Sequence, residues 1–180
     1  MTESNFERPE RRIGAANRPE RRLIAANWKM HLVTAEARAF CEGLRAEIAA
    51  DAPPVAIFPS FPLLPCVVGA LEGSGIAVGG QDVHPSDKGA HTGDVSAPQL
   101  ADVGATWVLC GHSERRRDHG EGDDLVGRKA QTATRHGLVP LICVGETRDE
   151  RRGGLTEEVL SRQLSAAITP LLGSSSELPF

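Results

Sequence analysis

Short apolar runs alternate with longer amphipathic segments from residue 23 onward. The runs are apolar at almost every position, without the polar alternation of a strand that faces water on one side. This pattern is typical of parallel strands covered on both faces. It predicts five strands, at Leu23–Asn27, Val55–Phe58, Ile76–Gly79, Trp107–Cys110 and Val139–Val144.

The amphipathic segments between these runs predict helices. Thr34 can cap the first helix, and Ser96 with Gln99 has the spacing of a capping box that opens a short one. Asp123 or Asp124 can begin a third helix, which ends near residue 137. The apolar positions of the first helix recur at helical spacing, at Ala37, Phe40, Cys41, Leu44 and Ile48.

A last helix begins at Thr156 and carries its apolar residues at helical spacing, namely Leu160, Leu164, Ala167, Ile168 and Leu171. With it, the chain consists of about five β-α units. Such alternation predicts an α/β fold with parallel strands, either doubly wound or a (β/α)8 barrel. A closed barrel usually needs ~250 residues. The 180 residues therefore predict an incomplete (β/α)8 barrel.

The amino-terminal segment differs from the rest of the chain. Residues 8–17 are repeated as residues 18–27 with only two changes. Few of the residues before position 23 are apolar, so the segment cannot bury enough surface to offset the entropy lost on ordering. We therefore predict a mobile tail at residues 1–22 and one partial barrel domain at residues 23–180.

Composition excludes several classes of protein. The formal net charge of −4 argues against a nucleic-acid partner. No run approaches the ~20 apolar residues of a membrane helix, and the first residues do not resemble a signal peptide. We therefore expect a cytoplasmic protein. The four cysteines are widely spaced, which predicts buried thiols rather than disulfides or a zinc site. The sequence suggests no metal and no cofactor.

Nucleotide binding is also disfavoured, because neither a Gly-x-Gly-x-x-Gly nor a Gly-x-x-x-x-Gly-Lys-Ser/Thr pattern occurs. Five segments instead resemble the triosephosphate isomerase family in order and spacing. The resemblance runs from about residue 23 to about residue 168. The segments are Ala-Asn-Trp-Lys-Met at 26–30, Gly-Gln-Asp-Val at 80–83, Gly-Ala-His-Thr-Gly-Asp-Val-Ser at 89–96, Gly-His-Ser-Glu-Arg-Arg at 111–116 and Cys-Val-Gly-Glu-Thr at 143–147.

The resemblance implies an isomerase of small phosphorylated sugars that needs no cofactor. Moving a carbonyl between adjacent carbons requires a base for a carbon-bound proton and a donor for the developing oxyanion. The resemblance implies that His112 is the catalytic donor. It implies that Asn27 and Lys29 bind substrate, with Lys29 also catalytic, and that Glu114 and Ser113 support them.

The long polar loop after the third strand is, on residues alone, a connection. The resemblance implies that it enters a neighbouring subunit of a homodimer and steadies the substrate-binding residues there. The residues assigned to this loop are Gln81, His84, Thr92 and Asp94. Arg116 and Glu146 are expected to form structural ion pairs nearby.

The sequence also departs from the family pattern. The family's catalytic glutamate, its mobile lid and its phosphate-binding loops find no counterpart in the 180 residues. We therefore expect negligible turnover from this chain alone. Two alternatives remain open. His91 and the charged residues 117–121 favour a paralogue that isomerises a tetrulose phosphate, and the missing base favours a non-enzymatic remnant that caps another barrel.

Overall fold

A computed structural model describes residues 22–172 of the chain. The tail predicted at residues 1–22 lies outside the described residues except for Arg22, which is exposed. The end of the predicted domain, residues 173–180, also lies outside them.

Five parallel strands form one sheet in the order of the chain, β1-β2-β3-β4-β5, and the sheet curls into a half-barrel. The predicted number and orientation of strands are confirmed. The third strand begins and ends one residue later than predicted, and the fifth ends two residues earlier. The strands are β1 Ile24–Asn27, β2 Val55–Phe58, β3 Ala77–Gly80, β4 Trp107–Cys110 and β5 Val139–Ile142.

Helices follow the strands, as the alternating pattern predicted. The short helices α2, α4 and α6 were not predicted, and a single 3-10 turn at Phe61–Leu63 precedes α2. The helices are α1 Thr34–Glu47, α2 Leu64–Leu71, α3 Ala97–Asp102, α4 Ser113–His119, α5 Asp123–Arg135, α6 Arg148–Arg152 and α7 Thr156–Leu172.

The predicted cap of α1 is wrong by one residue. Val33, not Thr34, is the N-cap, and the Glu36 carboxylate accepts a hydrogen bond from the Val33 backbone N–H at 2.9 Å. The predicted starts of the other helices are confirmed. The Gln99 side-chain oxygen accepts from the Ser96 backbone N–H at 2.9 Å, and α5 begins at Asp123.

The face of α7 that enters the core is partly the predicted one. Ala167 and Leu171 are buried as predicted, but Val159 and Gln163 are buried as well, whereas Leu164 is 46% exposed. The polar Gln163 can be buried because its amide exchanges hydrogen bonds with the Gly145 backbone, at 2.8 and 3.1 Å. A rule that selects only apolar residues cannot find Gln163.

Alternating strand residues build two apolar layers. The larger lies between the sheet and the helices, and the smaller lies on the concave face around Phe58 and Leu109. The expectation that every strand is covered on both faces is wrong at the edges. Ile24 of β1 is 51% exposed, and every residue of β5 is only partly buried.

The expectation that the cysteine thiols are buried is confirmed for two of the four. All four cysteines are free, but only Cys41 and Cys110 are buried, while Cys66 and Cys143 are partly exposed. Among the described helices, none has the length and apolar character required to cross a membrane.

Candidate active site

Polar side chains gather at the carboxyl ends of the parallel strands. Asn27 ends β1, Gln81 directly follows β3, and His112 lies two residues beyond β4. Together with Lys29 and Glu114 they line one cavity of about 460 Å³. This end of a parallel sheet is where barrel enzymes carry their active sites.

Lys29 occupies a backbone conformation that few non-glycine residues adopt. Its φ is +53°, in the left-handed region. Three hydrogen bonds fix this turn: the Lys29 N–H donates to Asn27 Oδ1 at 2.9 Å, and Gln81 Nε2 donates to the carbonyls of Lys29 at 2.7 Å and Phe58 at 2.9 Å. Strained residues of this kind are held only where the surroundings impose them. The backbone conformation of Lys29 therefore sets the direction in which its side chain projects.

The Lys29 ammonium donates to the Glu114 carboxylate at 2.7 Å, although both side chains remain substantially exposed. This hydrogen bond from Lys29 lowers the pKa of Glu114 below its ordinary value. The pair joins the loop after β1 to α4. An incoming anion can compete with the carboxylate for the ammonium, because solvent reaches both groups.

His112 is the N-cap of α4, and its ring is mostly buried. The Nδ1 atom accepts a hydrogen bond from the Glu114 backbone N–H at 3.2 Å. In a neutral imidazole one nitrogen accepts while the other carries the proton. The ring proton therefore resides on Nε2, which makes this atom a hydrogen-bond donor.

Ser113 does not join the main cavity. It lines a smaller cavity of about 170 Å³ that also touches Arg116 and Glu146. The expected ion pairs are present here, with separate partners: Arg116 contacts Asp123 at 2.6 Å and Glu146 contacts Arg151 at 2.5 Å.

Sequence reasoning missed a buried charge cluster behind the site. Lys129 is 4% exposed and its ammonium contacts Asp82 at 2.6 Å and Glu121 at 2.5 Å. Arg115 contacts the same two carboxylates, at 2.9 and 2.8 Å. One signal was present, because Lys129 falls at helical spacing within the apolar stripe of α5 that begins at Val126. The cluster ties Asp82, the neighbour of Gln81, to α4 and α5.

Of the residues assigned to the loop after β3, only Gln81 lies at the cavity. Thr92 and Asp94 are exposed on the loop itself, and neither lines the cavity of Lys29 and His112. Gln81 contacts the lysine of its own chain rather than projecting with the loop. The roles of Thr92 and Asp94 in a dimer stay predictions.

The curled parallel sheet, with a lysine, a histidine and an amide converging at the carboxyl ends of its strands, defines part of a (β/α) barrel. Residues 22–177 match the family model described as triosephosphate isomerase. The chain belongs to the triosephosphate isomerase family.

Similar proteins carry the same name. The chain is 49% identical over 142 residues to the triosephosphate isomerase of Bordetella pertussis, an alignment that covers 79% of this chain and 57% of that protein. It is 45% identical over 145 residues to that of Moorella thermoacetica, covering 81% and 58%. It is 43% identical over 144 residues to that of Gluconacetobacter diazotrophicus, covering 79% and 58%. The chain thus spans less than three-fifths of the length of these relatives.

Proposed function

We propose that the protein is a triosephosphate isomerase, which interconverts dihydroxyacetone phosphate and glyceraldehyde 3-phosphate in glycolysis and gluconeogenesis. One observation carries the proposal. Lys29 is fixed in a left-handed turn so that its ammonium stands beside Glu114, at the cavity that also holds Asn27 and His112. A cation and a neutral hydrogen-bond donor at one cavity suit a phosphorylated substrate whose carbonyl oxygen gains charge.

Each side chain takes a distinct part in this reaction. The Lys29 ammonium offsets the charge of the phosphate and of the enediolate, and in doing so leaves Glu114. His112 donates from Nε2 to the substrate oxygens as negative charge develops on them. Asn27 acts through Lys29, because its side-chain oxygen holds the lysine backbone.

The carboxylates of the cavity are poorly suited to remove the carbon-bound proton. Glu114 is held by Lys29 and its pKa is lowered, which makes it a weaker base. Asp82 and Asp118 also line the cavity. Asp118 is paired with Arg117, and although burial raises the pKa of Asp82, both of its oxygens are held, one by Lys129 and one by Arg115. We therefore propose that the base comes from outside the described residues, and that the 180 residues alone turn over substrate negligibly. Loss of a general base costs typically ~10²- to 10⁴-fold.

Complementation tests this function. The 180-residue chain is mixed with a separate polypeptide that carries the remainder of the Bordetella pertussis relative, and triose phosphate interconversion is measured. We expect turnover to appear only in the mixture and to fall at least ~100-fold with His112→Gln. His136→Gln serves as the matched control, since His136 contacts Asp87, away from the cavity, at 2.9 Å.

Several outcomes would contradict parts of this proposal. Equal turnover of the His112→Gln and unaltered mixtures would reject His112 as the donor. Turnover by the 180 residues alone that is lost with His112→Gln would show that they contain a base. Complete failure of the complemented mixture would favour the non-enzymatic alternative, a remnant that caps another barrel.

The geometry of the site gives little support to the alternative that the substrate is a tetrulose phosphate. His91 lines a different cavity, and the charges of Arg117 and Asp118, which do line the site cavity, are paired with each other at 2.6 Å. Comparing turnover of the triose and tetrulose phosphates by the complemented mixture decides between them.

We propose an oligomeric state and a cellular location that are consistent with this function. We propose a homodimer in which the loop bearing Thr92 and Asp94 contacts the other subunit, supported by the exposure of both residues. We also propose that the protein works in the cytoplasm, which the four free cysteines support because reducing compartments keep thiols unpaired.

A further inference from the structure

The turn that leads from β4 to His112 lies against one arginine. Gly111 directly follows β4 with a φ of +74°, in the left-handed region that favours glycine. A Cβ added there would lie 2.6 Å from the Val126 side chain of α5 and 3.1 Å from Nη2 of Arg116. The chain therefore leaves β4 in a direction that Arg116 and Val126 enclose.

The Arg116 guanidinium donates hydrogen bonds to three separate segments of the chain. Nε donates to the Gly111 carbonyl at 2.9 Å, Nη1 to the Asp123 carboxylate at 2.6 Å and Nη2, more weakly, to the Cys143 carbonyl at 3.4 Å. The Arg116 side chain is only 16% exposed, so water competes little for these acceptors. Because a guanidinium is planar and rigid, it holds the three acceptors in fixed relative positions.

The bond to the Gly111 carbonyl bears directly on His112. The Gly111 carbonyl and the His112 N–H belong to one planar peptide unit, so fixing the first also fixes the second. His112 is the N-cap of α4 with a φ of −52° and a ψ of 143°, and in this conformation its Nδ1 accepts from the Glu114 N–H at 3.2 Å. That hydrogen bond leaves the ring proton on Nε2. The direction of the peptide therefore determines which ring nitrogen donates.

The bond to the Cys143 carbonyl places the same turn relative to β5. The Cys143 N–H donates to the Cys110 carbonyl at 2.9 Å, so the pairing of β4 with β5 continues to this level. Arg116 adds its bond to Cys143 directly beyond that point. The peptide that carries His112 is thus tied to the carboxyl ends of two neighbouring strands.

We propose that Arg116 is a positioning residue for the isomerase reaction, which orients the Gly111–His112 peptide so that His112 presents Nε2–H to the substrate. This inference rests on the proposed function and gives Arg116 a part beyond its ion pair. Arg116 lines the smaller cavity, whereas His112 lines both that cavity and the cavity of Lys29. Arg116 therefore acts through His112 rather than by touching substrate.

Two substitutions separate this role from that of the ion pair with Asp123. Asp123→Asn removes the ion pair but leaves the bonds from Arg116 to the two carbonyls. Arg116→Lys keeps a positive charge for Asp123, but a single ammonium cannot reproduce the fork of a guanidinium that reaches all three acceptors. If Arg116 serves only the ion pair, Asp123→Asn has the larger effect on His112; if it positions His112, Arg116→Lys does.

Hydrogen exchange of the Glu114 amide in the 180-residue chain tests the positioning without any turnover. This N–H lies in the first turn of α4, where the helix itself offers no acceptor, so its protection depends on His112 Nδ1. We expect Arg116→Lys to accelerate its exchange ~3- to 10-fold relative to the amides of β4, which corresponds to loss of one hydrogen bond. Asp123→Asn is the matched control and should leave this relative rate unchanged.

Kinetics of the complemented mixture provide the second measurement. Arg116→Lys should lower kcat ~10- to 100-fold with little change in KM, because a misdirected donor loses transition-state stabilisation while Lys29 still binds the substrate. Asp123→Asn should lower kcat less than ~3-fold. If the lysine variant failed to fold, Arg116→Gln, which is neutral and also lacks the guanidinium fork, would take its place in both measurements.

Two results would overturn the proposal. One is an unchanged relative exchange rate of the Glu114 amide in Arg116→Lys, and the other is an equal loss of kcat in Arg116→Lys and Asp123→Asn. Failure of the proposed function is distinguishable from both. If no complemented mixture turned over substrate, the isomerase assignment would fail, while the exchange rates would still decide whether Arg116 positions His112.

Discussion

The buried ammonium of Lys129 holds together carboxylates that would otherwise repel each other. It contacts Asp82 and Glu121, and only Arg115 would remain to neutralise them without it. Burial raises the pKa of Asp82, and the charges of Lys129 and Arg115 act against that rise. We predict that Lys129→Met lowers the free energy of unfolding by ~3–5 kcal/mol, as loss of one partner of a buried ion pair does. Urea denaturation measures the difference.

Lys88→Met makes the same substitution at an exposed position and should change stability by no more than ~0.5 kcal/mol. If both variants unfolded at the same urea concentration, the buried cluster would contribute nothing to stability.

The sequence predicted which residues line the site, but it did not predict which groups those residues contact. Asn27, Lys29, His112 and Glu114 were found because they fall in segments that resemble the triosephosphate isomerase family and that follow strands. The contacts of Gln81 were not predicted, because which backbone carbonyls its amide meets depends on how β1, β2 and β3 lie side by side. Contacts between side chains far apart in sequence have no periodic signal.

The packing of α5 on α7 depends on a glycine. A Cβ added to Gly127 would clash with the Ala166 carbonyl oxygen of α7. We predict that Gly127→Ala destabilises the protein by ~1–3 kcal/mol because overpacking forces the helices apart. Thermal or urea unfolding measures the loss.

Gly43→Ala provides the control, because Gly43 lies in α1 with nothing within 4 Å of an added Cβ. It should gain up to ~1 kcal/mol from helix propensity alone. A stabilised Gly127→Ala variant would show that α5 and α7 do not approach so closely.

Asp123 connects three helices. Its carboxylate, in the first turn of α5, accepts from Arg116 of α4 at 2.6 Å and from Arg162 of α7 at 3.1 Å. Burial acts to raise its pKa, but the arginine hydrogen bonds outweigh burial and hold the pKa below its ordinary value. We predict that Asp123→Asn costs ~1–2 kcal/mol at neutral pH. Asp124→Asn, which removes a charge from the same helical turn, should cost less.

The pH dependence of this cost has a definite sign. A carboxyl group whose pKa is lowered by folding stabilises the protein above its unfolded pKa of ~3.9, and this contribution is lost as the pH falls through the folded pKa. The stability difference between the unaltered chain and Asp123→Asn should therefore shrink below about pH 4. A difference that stayed constant with pH would exclude the ion pairs as its cause.

The four helices that the sequence predicted, α1, α3, α5 and α7, each have an apolar stripe or a clear cap, although α2 buries Leu64, Val67 and Leu71 and was not predicted. The unpredicted α4 and α6 bury no residue, so they carry no apolar periodicity. They are local turns after β4 and β5, and α6 is fixed by a Thr147–Glu150 capping box. Polar helices of this kind are recognised from their caps rather than from hydrophobic spacing.

On the scale of the whole molecule, the strand count and parallel order followed from the alternation of apolar runs and helices. Which strands form the exposed edges did not, because apolar composition does not reveal which strands lie outermost. Within the described residues β1 and β5 are each paired on one side only. Trp107 and Leu141, on the concave face, are also only partly buried.

Unpaired strand edges with apolar side chains promote association. We therefore predict that the 180-residue chain self-associates, with a sedimentation coefficient that rises with concentration. Ile24→Lys should reduce this association, because it places a charge on the β1 edge where Ile24 is 51% exposed. Met30→Lys is the matched control: Met30 is 93% exposed but lies in the loop after β1. Association that persists equally in both variants would locate the contact away from β1, and a concentration-independent monomer would show that the edges are protected.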